Sequence, residues 1–152
     1  MTLIAKMVRR GPGDLLLAAE ALVLLAFFRV CLLLVPVRRI IRAVTHSRPG
    51  GGSAAGQSVE TAAVERDARV ARQVRWAVSA IARHSVVEFV CFPQALAGYT
   101  MLRWRRVPST VVYGVSRSPE GDLLAHTWLT VGDRVVLGGE AASGFTAVER
   151  WS

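Results

Sequence analysis

The hydrophobic pattern divides the chain into an apolar N-terminal stretch, a polar gap and a longer region of mixed periodicity. Residues 15–37 are apolar except for Glu20 and Arg29, which is typical of a helix covered by protein or lipid. Residues 46–58, HSRPGGGSAAGQS, are rich in Gly and Ser and have too few apolar side chains to order themselves. We therefore expect an N-terminal apolar helix segment at 1–45, a linker at 46–58 and a domain at 59–152.

Two helices are predicted at the start of this domain. From Glu60 onward the apolar side chains recur at the spacing of one helical face, and arginines occupy the remaining positions. The face consists of Val70, Val74, Ala77, Val78 and Ile81. A second helix begins near Pro93, a residue that suits a first helical turn. Its apolar positions are Ala95, Leu96, Tyr99 and Leu102.

The rest of the domain alternates between apolar and polar residues, as half-buried strands do. Ser118 to Asp122 and Gly132-Asp133 supply the turn chemistry that separates these strands. The predicted strands cover residues 110–115, 123–131, 134–137 and 145–151. Helices followed by an antiparallel meander define an α+β fold.

The sequence of the apolar segment at 15–37 is compatible with membrane insertion and with burial against protein, because the free energy of insertion is close to zero. Its Leu, Val and Phe residues favour insertion by about 7 kcal/mol, and two central charges at about 2.5 to 3.5 kcal/mol each nearly cancel that gain. A cleaved signal peptide is disfavoured because Glu20 would lie within its apolar region. The pattern favours a helix buried against the domain or a partner, with a spanning or interfacial membrane anchor as the alternative.

The charge and the cysteine content of the chain limit the kinds of partner and the cellular compartment that we expect. The net charge is +8, but the basic residues are scattered and no nucleic-acid-binding motif accompanies them, so we expect no nucleic-acid partner. The two cysteines, Cys31 and Cys91, lie far apart, without metal-site spacing. We expect free thiols in a cytoplasmic protein, without a metal or a cofactor, and membrane contact only through residues 15–37.

The candidate chemistry consists of Cys91 and His126. Cys91 lies immediately before a predicted helix, where unpaired amide groups and the helix dipole favour a thiolate. Alternation along the strand at 123–131 places His126 on the same face as Leu124 and Trp128. A thiol at a helix start and a downstream histidine on a strand are the elements of a papain-like site. Cys31, within the apolar helix, is interpreted as a core residue.

Several short strings occur in an order that resembles one known family. They are Cys91-Phe-Pro-Gln-Ala-Leu-Ala97, Met101-Leu102-Arg103, Tyr113-Gly114-Val115, Ala125-His126-Thr127-Trp128, Gly138-Gly139 and Phe145-Thr146. Upstream strings are similar to an N-terminal extension of the same family: Glu20-Ala-Leu-Val-Leu-Leu-Ala26 and Pro36-Val37-Arg38-Arg39. On these motifs the chain resembles the transglutaminase-like leader peptidases of lasso-peptide biosynthesis, over nearly everything except the linker.

This resemblance implies a papain/transglutaminase-like fold and a site made of a cysteine, a histidine and an acid. The implied substrate is a ribosomally made precursor peptide, cut between its leader and its core. The implied partners are a separate small protein that binds the leader and an ATP-dependent synthetase that closes the macrolactam ring.

The third residue of the site is where this sequence departs from the family. The resemblance implies a carboxylate on the strand after the histidine, and glycines occupy positions 138 and 139 instead. A two-residue loop at Gly132-Asp133 would set His126 opposite Gly139, with Glu140 next to it. A bulge at the two glycines would bring Glu140 closer still. We therefore predict Glu140 as the third residue.

Two other carboxylates are reserves for this role, Asp133 and Glu88. Asp133 would lie about 20 Å from His126 along the strand, at roughly 3.3 Å per residue. The leading hypothesis is thus a cysteine peptidase with Cys91, His126 and Glu140. The alternatives are a thiol acyltransferase or transglutaminase of the same fold, or a basic, membrane-associated protein without enzymatic activity.

Overall fold

The computed structural model describes residues 12–36, 39, 57–84 and 91–152. Three helices come first: α1 (Pro12–Leu34), α2 (Gln57–His84) and α3 (Cys91–Trp104). Strands β1 (Thr110–Arg117), β2 (Leu123–Val131) and β3 (Arg134–Leu137) follow, then a short helix α4 (Gly139–Ala142) and strand β4 (Thr146–Trp151). The α+β prediction, helices before an antiparallel sheet, is confirmed.

The four strands form one antiparallel sheet in the order β3-β2-β1-β4. The turns predicted around Gly121 and at Gly132-Asp133 join consecutive strands, and Val131 pairs with Arg134 as expected. The last strand does not continue the meander beyond β3. It returns to the opposite edge and pairs with β1. The two inner strands are therefore β1 and β2, and β2 holds His126.

The predicted apolar face of α2 is buried. Val74, Ala77 and Val78 are inaccessible to solvent, and they contact the buried positions of α3 and the sheet within a single hydrophobic cluster. The third helix supplies the largest share of that cluster, including Leu96, Met101 and Leu102. Alternating residues of the two central strands close it from the other side, among them Val111 and Leu129.

Helix α1 has one face inside this cluster and one face in solvent. By length and composition it is the one helix among the described residues that could cross a membrane. Its buried side chains are Ala18, Ala21, Leu24, Leu25 and Phe28. The opposite face exposes large apolar side chains: Leu15, Leu16, Leu22, Val23, Phe27, Val30, Leu33 and Leu34. The helix thus packs on α2 and α3 and also presents an apolar surface.

A half-buried ion pair ties α1 to the end of α3. The Arg105 guanidinium donates hydrogen bonds to both carboxylate oxygens of Glu20, at 2.8 and 2.6 Å, and a third one to the Met101 carbonyl. Hydrogen bonding to Glu20 raises the pKa of Arg105, against burial, which lowers it. The charge of Glu20, which opposed membrane insertion in the sequence, is therefore paired with a residue 85 positions away.

Helix α3 lies unusually close to the sheet at Gly98. A Cβ atom added there would be 2.5 Å from the Leu137 side chain and 2.8 Å from that of Leu129. Such distances are shorter than real carbon contacts, so a larger residue would have to displace the ends of the buried Leu129 and Leu137 side chains or α3 itself. The close approach sets the separation between α3 and the strands β2 and β3.

Candidate active site

Cys91, His126 and Glu140 line one cleft, with a volume of about 380 Å³. The cleft lies between the C-terminal half of α2, the first turn of α3 and the end of β3. Residues from α2 and α3 on its wall are Arg75, Ser79, Ala82, Arg83 and Gln94. Residues distant in sequence are therefore brought to a common surface, which is what a nucleophile, a base and an orienting group require.

Cys91 is the first residue of α3 and is partly buried. The first four amide groups of a helix lack partners within the helix, and their dipoles favour negative charge at this end. Proline fits at the third position, because its missing N–H would have no helical acceptor there. The unpaired N–H groups of this helix start are available as donors to an oxyanion.

His126 is in the middle of β2, in contact with aromatic rings on two sides. Its ring lies 6.1 Å from that of Trp128, nearly parallel, and 5.2 Å from that of Phe145. The predicted contact with Trp128 on one strand face is thereby confirmed. These rings limit the rotation of the imidazole and its access to water.

One hydrogen bond defines the roles of the two imidazole nitrogens. Nε2 of His126 lies 2.8 Å from the carbonyl oxygen of Gly138. Since a carbonyl oxygen only accepts, Nε2 carries the proton in the neutral ring and donates it to Gly138. The unprotonated nitrogen is then Nδ1, which is the atom able to accept a proton from a thiol.

The conformation of Gly138 depends on its being a glycine. Its φ is +74°, in the left-handed region, and an added Cβ would be 2.8 Å from the Thr127 carbonyl oxygen and 3.1 Å from Trp128 Cβ. The sequence indicates only that glycines occupy positions 138 and 139, where the resemblance implies a carboxylate. The structure instead uses the backbone of one of them as the acceptor for His126.

The structure around Glu140, the predicted third residue, differs from the pairing of β2 and β3 that the sequence predicts. The register shift lies between Leu129 and Thr130, not at the glycines, and β3 ends at Leu137. The chain then turns at Gly138 into α4, which contains Glu140. Within the described part of the chain, Glu140 is exposed and makes no hydrogen bond to His126, although both line the cleft.

The two reserve carboxylates lie elsewhere. Asp133 is in the β2–β3 turn, outside the lining of this cleft. Glu88 falls at residues 85–90, outside the described residues. Cys31 is partly buried against the hydrophobic cluster, as expected of a core residue. Among the described residues, no group of three His, Cys, Asp or Glu side chains is placed to hold a metal ion.

Arginines border the cleft on the α2 side. Arg75 and Arg83 are both exposed, and the ion pairs found among the described residues, Arg66–Asp67 and Arg105–Glu20, do not involve them. The entrance therefore has positive charge available to a ligand. Unpaired arginines beside a nucleophile favour negatively charged groups on the substrate.

A thiol at a helix start and an imidazole with a fixed tautomer, facing one cleft, are the parts of an acyl-transfer site that proceeds through a thioester. Comparison with known families agrees: the Transglutaminase-like superfamily model matches residues 31–150. The chain belongs to this superfamily, whose domains are typically cysteine proteases or acyltransferases. No curated protein and no solved structure matches the chain significantly.

Proposed function

We propose that this protein is a cysteine peptidase that removes the leader from a ribosomally made lasso-peptide precursor. The observation that carries the proposal is the shared cleft of Cys91 and His126, in which a hydrogen bond from His126 Nε2 to the Gly138 carbonyl oxygen orients the imidazole. The superfamily supports the acyl-transfer chemistry. The motifs around the two residues, which resemble lasso-peptide leader peptidases, support the substrate.

The proposed reaction begins when the Cys91 sulfur attacks the carbonyl carbon of the scissile peptide bond. His126 Nδ1 takes the thiol proton and returns it to the departing amine, so that a C–S bond forms as the C–N bond breaks. Water then attacks the thioester carbon while His126 takes a proton from the water. The C–S bond breaks as the new C–O bond forms, the free acid leaves, and the proton returns to the Cys91 sulfur. Amide groups at the start of α3 would stabilise the oxyanion in both steps.

In this proposal, the two tasks of the third catalytic residue, orienting the imidazole and stabilising its charged form, are carried out by different groups. The Gly138 carbonyl orients the ring through Nε2. Glu140, on the same cleft wall, would stabilise the imidazolium through its charge rather than by a direct hydrogen bond. This division predicts that loss of the carboxylate has a smaller effect than loss of the base.

Glu140→Gln should lower kcat by about tenfold or less, because the ring remains oriented by the backbone. Asp133→Asn should leave kcat nearly unchanged, since Asp133 lies outside the cleft. Rates of precursor cleavage, measured by mass spectrometry on both folded variants, provide the comparison. A loss in Asp133→Asn that exceeds the loss in Glu140→Gln would contradict the assignment.

The proposed partners are a separate leader-binding protein and, after cleavage, an ATP-dependent macrolactam synthetase. Such a protein would raise the concentration of the precursor at the cleft. We expect the protein to cleave its precursor slowly alone and at least about tenfold faster when the leader-binding protein is added. Masses of the released leader and core give the site of cleavage. Equal rates under both conditions would show that this chain reads the leader unaided.

The rival activity, acyl transfer to an amine, shares the first half of the reaction. It is distinguished by adding hydroxylamine or a primary amine and weighing the product, because a peptidase releases mainly the free acid. The rival without enzymatic activity predicts an unreactive Cys91. Brief iodoacetamide treatment at pH 6.5 tests this, with Cys31 as the internal control.

We also propose that the protein is cytoplasmic and contacts the membrane surface through the exposed apolar face of α1. The buried face packs on α2 and α3, which a separate spanning helix would not do. The apolar side chains on the other face are exposed, which suits a helix lying in the interface. The basic residues of the chain would favour anionic lipids.

A further inference from the structure

A second groove continues from the catalytic cleft along α2. It lies between residues 64–75 of that helix and the β2–β3 hairpin, and its volume is about 810 Å³. Arg75 and Val136 line both the cleft and the groove. The two cavities therefore adjoin each other at Arg75 and Val136.

The dimensions of the groove suit an extended segment of chain. Residues 64–75 span about 16 Å at 1.5 Å per residue of helix. An extended peptide rises about 3.3 Å per residue, so about five residues fill this length. The opposite wall includes β3, which lies at the edge of the sheet, and sheet edges commonly receive extended peptides.

The floor of the groove is apolar and accessible. Val64 is 63% exposed and Val135 is 38% exposed, although both are large apolar side chains. Ala68, Ala71 and Val131 continue the same lining. Burial of such side chains by a ligand is favourable, at about 25 cal/mol per Å² of apolar surface.

The rim of the groove is predominantly positive. It contains four arginines: Arg69, Arg72, Arg75 and Arg134. Of its three carboxylates, Asp67 pairs with Arg66 at 3.1 Å, which leaves Glu65 and Asp133. Within the described part of the chain, none of these four arginines has a carboxylate partner. The excess of unpaired cations favours acidic side chains on the ligand.

We infer that this groove binds an extended segment of about five residues of the peptide substrate, one that combines apolar and acidic side chains. The inference rests on the proposed peptidase function, because it assigns the groove to the same chain whose scissile bond lies at Cys91. It adds the composition that the substrate must have beyond the cleaved bond.

The test uses the full protein and two fluorescein-labelled peptides, Leu-Glu-Val-Asp-Leu and Leu-Lys-Val-Lys-Leu, with binding measured by fluorescence anisotropy. The acidic peptide should bind, and the basic one at least about tenfold more weakly. Val64→Asp and Arg72→Glu should each raise the Kd of the acidic peptide by about tenfold or more. The matched controls are Val148→Asp and Arg150→Glu on β4, exposed positions outside the groove, and these should leave the Kd unchanged.

Equal binding of the two peptides, no binding, or equal effects of groove and control variants would overturn the inference. Sedimentation of the same samples adds another outcome: a dimer that Val64→Asp dissociates would assign the groove to a second copy of the chain. Precursor cleavage is measured separately. Cleavage by a protein that does not bind the acidic peptide would reject the groove alone, whereas binding without any cleavage would reject the peptidase and leave the groove.

Discussion

Replacement of Cys91 by Ala, or of His126 by Ala, should each lower kcat/KM for precursor cleavage by at least about 10³-fold. The first change removes the atom that forms the thioester. The second removes the nitrogen that accepts the thiol proton, which the hydrogen bond to Gly138 leaves as Nδ1. Because the two groups act in one step, the double variant should be scarcely slower than either single variant.

The controls separate chemistry from folding. Circular dichroism should show native secondary structure in all three variants, since Cys91 and His126 are only partly buried. Alkylation of Cys91 by iodoacetamide should slow in His126→Ala if the imidazole activates the thiol. A folded Cys91→Ala protein that still cleaves would end the thiol-peptidase proposal.

Leu25→Asp should destabilise the protein by several kcal/mol, a large part of the 5 to 15 kcal/mol that is typical of a domain. Leu25 is fully buried on the face of α1 that packs into the main cluster. A carboxylate there would have no room to reach water, so burial of an unpaired charge or exposure of the whole face must follow. The midpoint of urea unfolding measures the effect.

The matched control is Leu22→Asp, three residues earlier on the same helix. Leu22 is 47% exposed at the border of the exposed face, where an aspartate reaches water, so the substitution should change stability by about 1 kcal/mol or less. It should also reduce recovery of the protein with membranes, from which carbonate should release the wild type. Equal unfolding midpoints for the two variants would show that α1 is not part of the core, and recovery solely in the carbonate-resistant pellet would indicate a spanning helix.

Local signals were sufficient to predict most of the secondary structure. Alternation and turn chemistry predicted β2, the turn at Gly132-Asp133 and β3 with their observed limits. The apolar spacing on α2 identified the side chains that are now buried, such as Val74 and Val78. These features depend on residues close in sequence, which is why a single chain is enough to predict them.

The structural features that the sequence did not predict depend on residues distant in sequence or on backbone geometry. The pairing of β4 with β1 joins strands that are distant in sequence, and no local pattern specifies which edge of the sheet β4 joins. Neither α4 nor the register shift next to Leu129 has a strong sequence signal. The role of Gly138 was missed because its acceptor is a main-chain carbonyl, which every residue has; a glycine where a carboxylate was expected was the available clue.

The close packing at Gly98 also affects the active site, although Gly98 contacts neither Cys91 nor His126. Gly98 and Cys91 belong to the same rigid helix, two turns apart, and the sheet beneath Gly98 includes the strand of His126. A methyl group at 98 would collide with the side chains of Leu129 and Leu137, and any displacement of α3 that relieves this collision would also move Cys91 relative to His126. The catalytic rate should therefore depend on the size of residue 98, although that residue lies in the core and does not contact the substrate.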